Sequence, residues 1–306
     1  MKISTILLVC ALCCAGLRAQ ESSLTPLADY EEVRKEQELV QQAQEYAEAH
    51  KYAKAAKWYR RAAMMQTAPE KRAEYLMLEA ENLLLGRKSH KAKAAYFELM
   101  DNYRFLVPFY RVLEQMRELA DLLEHGTGTL LHIPDPGASI EIYRKIVECQ
   151  PSGEQSLNDR LVLGKKLEKD GQPEEAVKLY QETIKLIPRN PDVRLALAQC
   201  LSGLAVKSDG DGELSRAAIR EAKTFLELST PMDPRRDQVN EILLRAQNDE
   251  ANRLLERAEF YLAKYHYRPD VARRYLLDIQ RDYPESAAIP RVQELLKKHF
   301  PADVKE

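Results

Sequence analysis

Residues 163–188 read LGKKLEKDGQPEEAVKLYQETIKLIP, and the spacing of a few residues in this stretch decides the fold. Leu163-Gly164 stands one helical turn before Leu167, Gly171 interrupts, and Ala176, Tyr180 and Pro188 follow at fixed separations. Those separations are the ones a helix-turn-helix repeat of about 34 residues requires. Gly164 and Ala176 are small enough to let two helices cross closely, and Tyr180 fills the wider gap beside the crossing.

The same register carries outward along the chain. A first repeat uses Leu39, Ala43, Tyr46, Tyr52, Ala55, Tyr59 and Ala62; a second uses Leu76, Ala80, Leu83, Ala92, Tyr96 and Leu99. A third pairs a helix from about Pro108 to His125 with one carrying Ser139, Tyr143 and Ile146. Residues 163–188 are the fourth. A fifth is built on Leu195, Ala198, Ala218, Ala222 and Phe225, and a sixth ends in Ala272, Leu276, Ile279 and Pro284. The pattern resembles the tetratricopeptide repeat (TPR), and it predicts an all-α, helix-turn-helix solenoid of five to six repeats. Ala43, Tyr46, Ala55, Tyr59, Ala92, Tyr96, Tyr143, Gly164, Ala176, Tyr180 and Ala272 are its repeat-packing positions.

The equivalent second-helix positions are 59, 96, 143, 180, 222 and 276, so the spacings of 37, 47, 37, 42 and 54 exceed the repeat length. The excess marks insertions. Gly126–Gly137 and Lys207–Leu214 have loop composition, rich in Gly, Pro and Asp. Asp233-Pro234 reads as an N-cap followed by Pro at the first helical position, opening one helix of about 30 residues, on the order of 45 Å long. A last helix over about Ala287–His299 would cover the exposed end as a cap.

At the N-terminus, Lys2, the apolar run Ile3–Ala15 and Leu17-Arg18-Ala19 have the layout of a secretory signal peptide cleaved after Ala19. Cys10, Cys13 and Cys14 lie inside it, and none has the sequence context of a lipidated cysteine. The expectation is an exported chain peripheral to the membrane; lipidation is the alternative. The organisation read from these signals is a leader over 1–19, a segment over 20–35 leading into the first helix, and repeats over 36–231. Inserted loops fall at 126–137 and 207–214, and a closing portion spans 232–306.

Without Lys2 and Arg18, the 46 Lys and Arg become 44, against 48 Asp and Glu. So even a balance argues against a nucleic-acid surface. Beyond the leader only Cys149 and Cys200 remain, too few for a disulfide framework.

Asp209-Gly-Asp-Gly-Glu213 starts like a calcium loop, but Leu214 and Arg220 occupy the positions that need Gly and Glu. His125, His132 and Asp135 match no zinc-ligand spacing. The chain holds no G-x-S-x-G, H-E-x-x-H or phosphate-binding loop. The reading is a non-enzyme with no cofactor, no metal and no small-molecule substrate.

The residues Ala258–Ala272 (AEFYLAKYHYRPDVA), the following Arg273–Ile279 and Asp282-Tyr-Pro-Glu-Ser286 resemble the closing repeat of the BamD family of outer-membrane-protein assembly factors. The resemblance covers about residues 215–298. It implies a periplasmic scaffold at the outer membrane that binds the barrel-forming assembly protein through C-terminal repeats and unfolded barrel precursors through N-terminal ones. Two other functions compete: a periplasmic adaptor of peptidoglycan or division machinery, and an envelope hydrolase using the Gly126–Gly137 loop.

First helices of such repeats line a surface that takes peptides or partner helices. In the present register Gln37, Gln44, Asn158, Lys165, Arg257, Tyr261 and Lys264 face that groove, with Tyr265 beside them. Arg257 and Lys264 would pair with carboxylates of a partner protein, and Tyr261 would add rigid contact area.

Overall fold

The computed structural model describes residues 27–129, 132–150, 156–208 and 212–301. The expected leader, its three cysteines and the Asp209-Gly-Asp211 part of the second loop lie outside them. The described residues form thirteen α-helices and no strand. The chain divides into two compact units, Met1–Asp135 and Pro136–Glu306.

The first unit contains α1 (Leu27–Glu48), α2 (Tyr52–Met65), α3 (Pro69–Leu85), α4 (Ser89–Asn102) and α5 (Phe109–Glu124). Each helix packs on the next, and α3 also touches α5. Contact between successive first helices, as well as within each pair, is what makes a stack of hairpins. Ala43 and Ala55 are fully buried where α1 crosses α2, with Tyr59 against them. Ala80, Ala92, Tyr96 and Leu99 do the same for α3 and α4. Burying a side chain such as Leu99 contributes about 1.5–3 kcal/mol.

The hairpin turns share one geometry. Lys51 N–H donates to the Tyr46 carbonyl at 2.8 Å and His50 N–H to Ala47 at 2.9 Å; Lys88 repeats this to Leu83 and Arg87 to Leu84, both at 2.9 Å. The residue between helices is left-handed, with φ of 55° at His50 and 50° at Arg87. The paired bonds satisfy carbonyls that a helix end leaves open. The turn after α5 closes identically with Gly126, and the one after α7, in the second unit, with Gly171.

The second unit contains α6 (Pro136–Cys149), α7 (Leu157–Lys169), α8 (Pro173–Leu186), α9 (Pro191–Ser208), α10 (Glu213–Leu228), α11 (Arg236–Leu262), α12 (Pro269–Asp282) and α13 (Ile289–His299). Successive helices pack in order, and α9 also touches α7 and α11. Leu163, Leu167, Ala176 and Tyr180 form one core with Val193, Leu197 and Cys200. Phe225 and Val239 anchor a second core between α10 and α11. Ala258, Leu276, Ile279, Val292 and Leu296 join α11, α12 and α13 in a third. Both cysteines are free thiols. Each unit is built of all-α, TPR-type hairpins.

Several boundaries differ from the expected ones. Helix α1 starts at Leu27, inside the segment over 20–35 expected to lead into it, because residues 27–38 are mostly good helix formers preceded by Pro26. The first loop ends where α6 begins at Pro136, and the second is shortened by α9 running to Ser208 and α10 starting at Glu213. The division between units falls between α5 and α6, the helices expected to pair as the third repeat.

Asp233 does not cap α11, which begins at Arg236 and spans 27 residues. Its Oδ1 accepts the Arg235 N–H at 2.9 Å and the Arg235 Nε–H at 3.0 Å, and Arg235 also reaches Asp192 at 2.5 Å. The carboxylate therefore folds a turn ahead of the helix. Hydrogen bonding by Arg235 holds the Asp233 carboxyl down to about 2.

Candidate protein-binding surfaces

The repeat-packing residues separate by depth. Ala43, Ala55, Ala92, Tyr96, Ala176, Tyr180 and Ala272 are fully buried, Tyr59 and Gly164 nearly so. Tyr46 and Tyr143 are half-buried, Tyr46 stacked on Trp58 at 6.5 Å and Tyr143 under the Lys166 ammonium at 5.2 Å.

Of the groove positions, Gln37 and Gln44 are exposed two turns apart on α1, and Asn158 and Lys165 are likewise exposed on α7. Arg257 is exposed on the last turns of α11, and Lys264 in the short 3-10 turn Lys264–His266 that follows. Tyr261 is half-buried instead, its ring parallel to that of Tyr275 on α12 with centroids 6.3 Å apart. A Tyr at this spacing packs its own hairpin. Its neighbour Tyr265 stands 89% exposed.

His125 and Asp135 beside the first loop take local partners. His125 Nδ1 lies 2.8 Å from the Asp121 carbonyl, and Asp135 lies 3.8 Å from His90 Nε2.

A groove that sequence reading missed runs along the first unit. It has a volume of about 540 Å³ and is lined by α2, α3 and α4. The buried Ala56, Ala95 and Leu83 form its floor, with the exposed Ala53 and Ala94 beside them, and Lys57, Arg61 and Lys91 stand at its rim. The signal was present as small residues outside the crossing positions, Ala53 and Ala56 on one second helix and Ala94 and Ala95 on the next.

Arg60 crosses the groove, donating from Nη1 to Glu98 at 2.5 Å and to Glu79 at 3.4 Å. Burial pushes the Glu79 carboxyl up, with Arg60 opposing. Burial works against the Arg60 charge, but the two carboxylates more than offset it and hold the guanidinium protonated. Arg61 lies over the Trp58 ring at 4.7 Å. Lys57 and Lys91 are exposed and make no ion pair among the described residues. The rim presents net positive charge above an apolar floor.

No protein-family model and no curated protein sequence matches the chain. Among solved structures it is similar to the TPR2AB-domain:pHSP90 complex of yeast Sti1. The two are 15% identical, with 87% of this chain and 98% of that chain covered and a TM-score of 0.28. The fold assignment rests on the helix pairing described above. Stacked hairpins with an open groove and exposed polar positions on their first helices have the geometry to take an extended segment of another protein.

Proposed function

We propose that this chain is an exported, non-enzymatic scaffold that holds partner proteins in the cell envelope, in the assembly of outer-membrane proteins. The observation that carries the holding role is the alanine-floored groove with Lys57, Arg61 and Lys91 on its rim. An apolar floor under a cationic rim suits an extended segment with acidic residues, which buries its backbone on alanine and pairs its carboxylates above.

The envelope setting rests on the leader-like first nineteen residues. The assembly role rests on the resemblance of Ala258–Ser286 to the BamD closing repeat. In support, α11, α12 and α13 provide the long helix, closing hairpin and terminal helix expected over 232–306.

The test is affinity purification from envelope membranes with crosslinking. The barrel-assembly protein is expected to co-purify, and depletion of the chain is expected to lower outer-membrane protein levels. Lys57→Glu with Lys91→Glu should reduce recovery of acidic client segments while leaving the fold intact, since both side chains are exposed. Failure of both co-purification and depletion overturns the assembly role; recovery at midcell with division proteins would favour the adaptor reading instead.

A further inference from the structure

The turn that joins α11 to α12 gathers rings that remain largely exposed. Phe260 is 49% exposed, Tyr265 89% and Tyr267 59%. The turn has a defined shape: His266 N–H donates to the Ala263 carbonyl at 3.0 Å, and Arg268 N–H to Tyr261 at 2.8 Å. The His266 ring stacks on Phe260 with centroids 4.2 Å apart. The rings are therefore presented by an ordered tip rather than by a loose loop.

Its charge is as distinctive as its rings. From Phe260 to Pro269 no acidic residue occurs, although the chain carries 48 among its 306 residues, while Lys264 and Arg268 flank Tyr265, His266 and Tyr267. Lys264 makes no ion pair among the described residues, and Arg268 has only a loose one, 3.8 Å from Asp270 with both side chains more than half exposed.

We propose that this tip seats the protein on an anionic lipid bilayer, with Tyr265, Tyr267 and Phe260 entering the headgroup layer and Lys264 and Arg268 meeting lipid phosphates. Aromatic rings with one wet end concentrate at that interface, and nearby Lys and Arg are drawn to an anionic leaflet. Area decides against a protein partner. An aromatic side chain buries about 150–250 Å², so three partly exposed rings offer roughly 300–500 Å², short of the roughly 800 Å² each partner gives to a stable protein interface. A bilayer sets no such minimum, because each ring and each cation adds its own contribution. The inference does not depend on the client groove.

Vesicle flotation of the exported protein tests it, with phosphatidylcholine vesicles compared with phosphatidylcholine mixed with phosphatidylglycerol. Wild type and variants share one N-terminus, so differences between them report the turn alone. Binding is expected only with the anionic lipid, weakening as salt screens the attraction. Tyr265→Ser with Tyr267→Ser should lower partitioning at least about tenfold. Lys264→Ala with Arg268→Ala should lower it roughly thirtyfold, about fivefold for each basic residue. All four side chains are exposed, so circular dichroism and Tm should stay at wild-type values. Equal binding to both vesicle types, or undiminished binding by the tyrosine variant, overturns the proposal. So does loss of a crosslinked partner protein with vesicle binding unchanged.

Discussion

The ring of Tyr180 in α8 lies against the bare Cα of Gly164 in α7, so that a Cβ at 164 would collide with Cε1, Cζ and the hydroxyl. The ring is fully buried and its hydroxyl donates to Glu168 Oε1 at 2.7 Å. Gly164→Ala should therefore cost about 1–3 kcal/mol through overpacking, and Tyr180→Ala about 3–5 kcal/mol through the cavity it leaves. The two residues share one space, so their effects should not add. Thermal unfolding of the two single variants and of Gly164→Ala in a Tyr180→Leu background checks this; an unchanged alanine penalty in that background contradicts the contact.

Arg87 and Gly171 occupy equivalent turn positions with φ of 50° and 80°, but only one of them is glycine. The left-handed region costs an L-residue about 1–2 kcal/mol, offset in part by the extra freedom glycine has when unfolded. Arg87→Gly should raise stability by about 0.5–1 kcal/mol and Gly171→Ala should lower it by about 1 kcal/mol. Opposite shifts in urea midpoint are the expected result. The Arg87 side chain is exposed, so no buried contact is lost.

How much of this was legible in the sequence depends on how local the cause is. The Ala–Tyr spacing of residues 163–188 encodes a crossing between neighbouring helices, and its continuation located the helices from α1 to α12, though not the break between α5 and α6. Asp233-Pro234 misled because its local pattern suits a cap, whereas Arg235 and the distant Asp192 take the charges that decide the turn. Tyr261 was assigned to a groove by helical phase, but Tyr275 across the hairpin claims its face. The division between α5 and α6 and the groove over α2, α3 and α4 depend on how pairs stack, which spacing within one pair does not encode.

Glu250 in α11 is 2% exposed and lies between two arginines. It accepts from Arg216 at 3.0 Å and from Arg253 Nε at 2.9 Å, with a second Arg253 bond from Nη2. Removing one partner of a buried ion pair leaves the others uncompensated and costs about 3–5 kcal/mol. Glu250→Ala should destabilise the second unit by that order. Gly212 packs directly on this pair, with no room for a Cβ beside Glu250 and Arg253. Gly212→Ala should thus lower Tm as well. The comparison that tests the pair is Glu250→Leu with Arg253→Met, which replaces charge by apolar volume and should recover most of the loss.

In the first unit, Glu36 on α1 accepts the Tyr75 hydroxyl at 2.5 Å and Lys71 Nζ–H at 3.4 Å, joining α1 to α3. Burial pushes its carboxyl up, but hydrogen bonds from Tyr75 and Gln66 and the Lys71 charge outweigh it, so the pKa falls below its ordinary 4.5. A carboxyl that is more acidic folded than unfolded adds stability above the unfolded value, and loses it as pH drops through the folded one. Stability of the first unit should accordingly fall below about pH 4.5. Glu36→Gln has no such proton to take up. Its thermal stability should be lower than wild type near neutrality and converge on it in acid, as followed by Tm across pH. A constant gap between the two curves at every pH would mean that Glu36 acts only by packing.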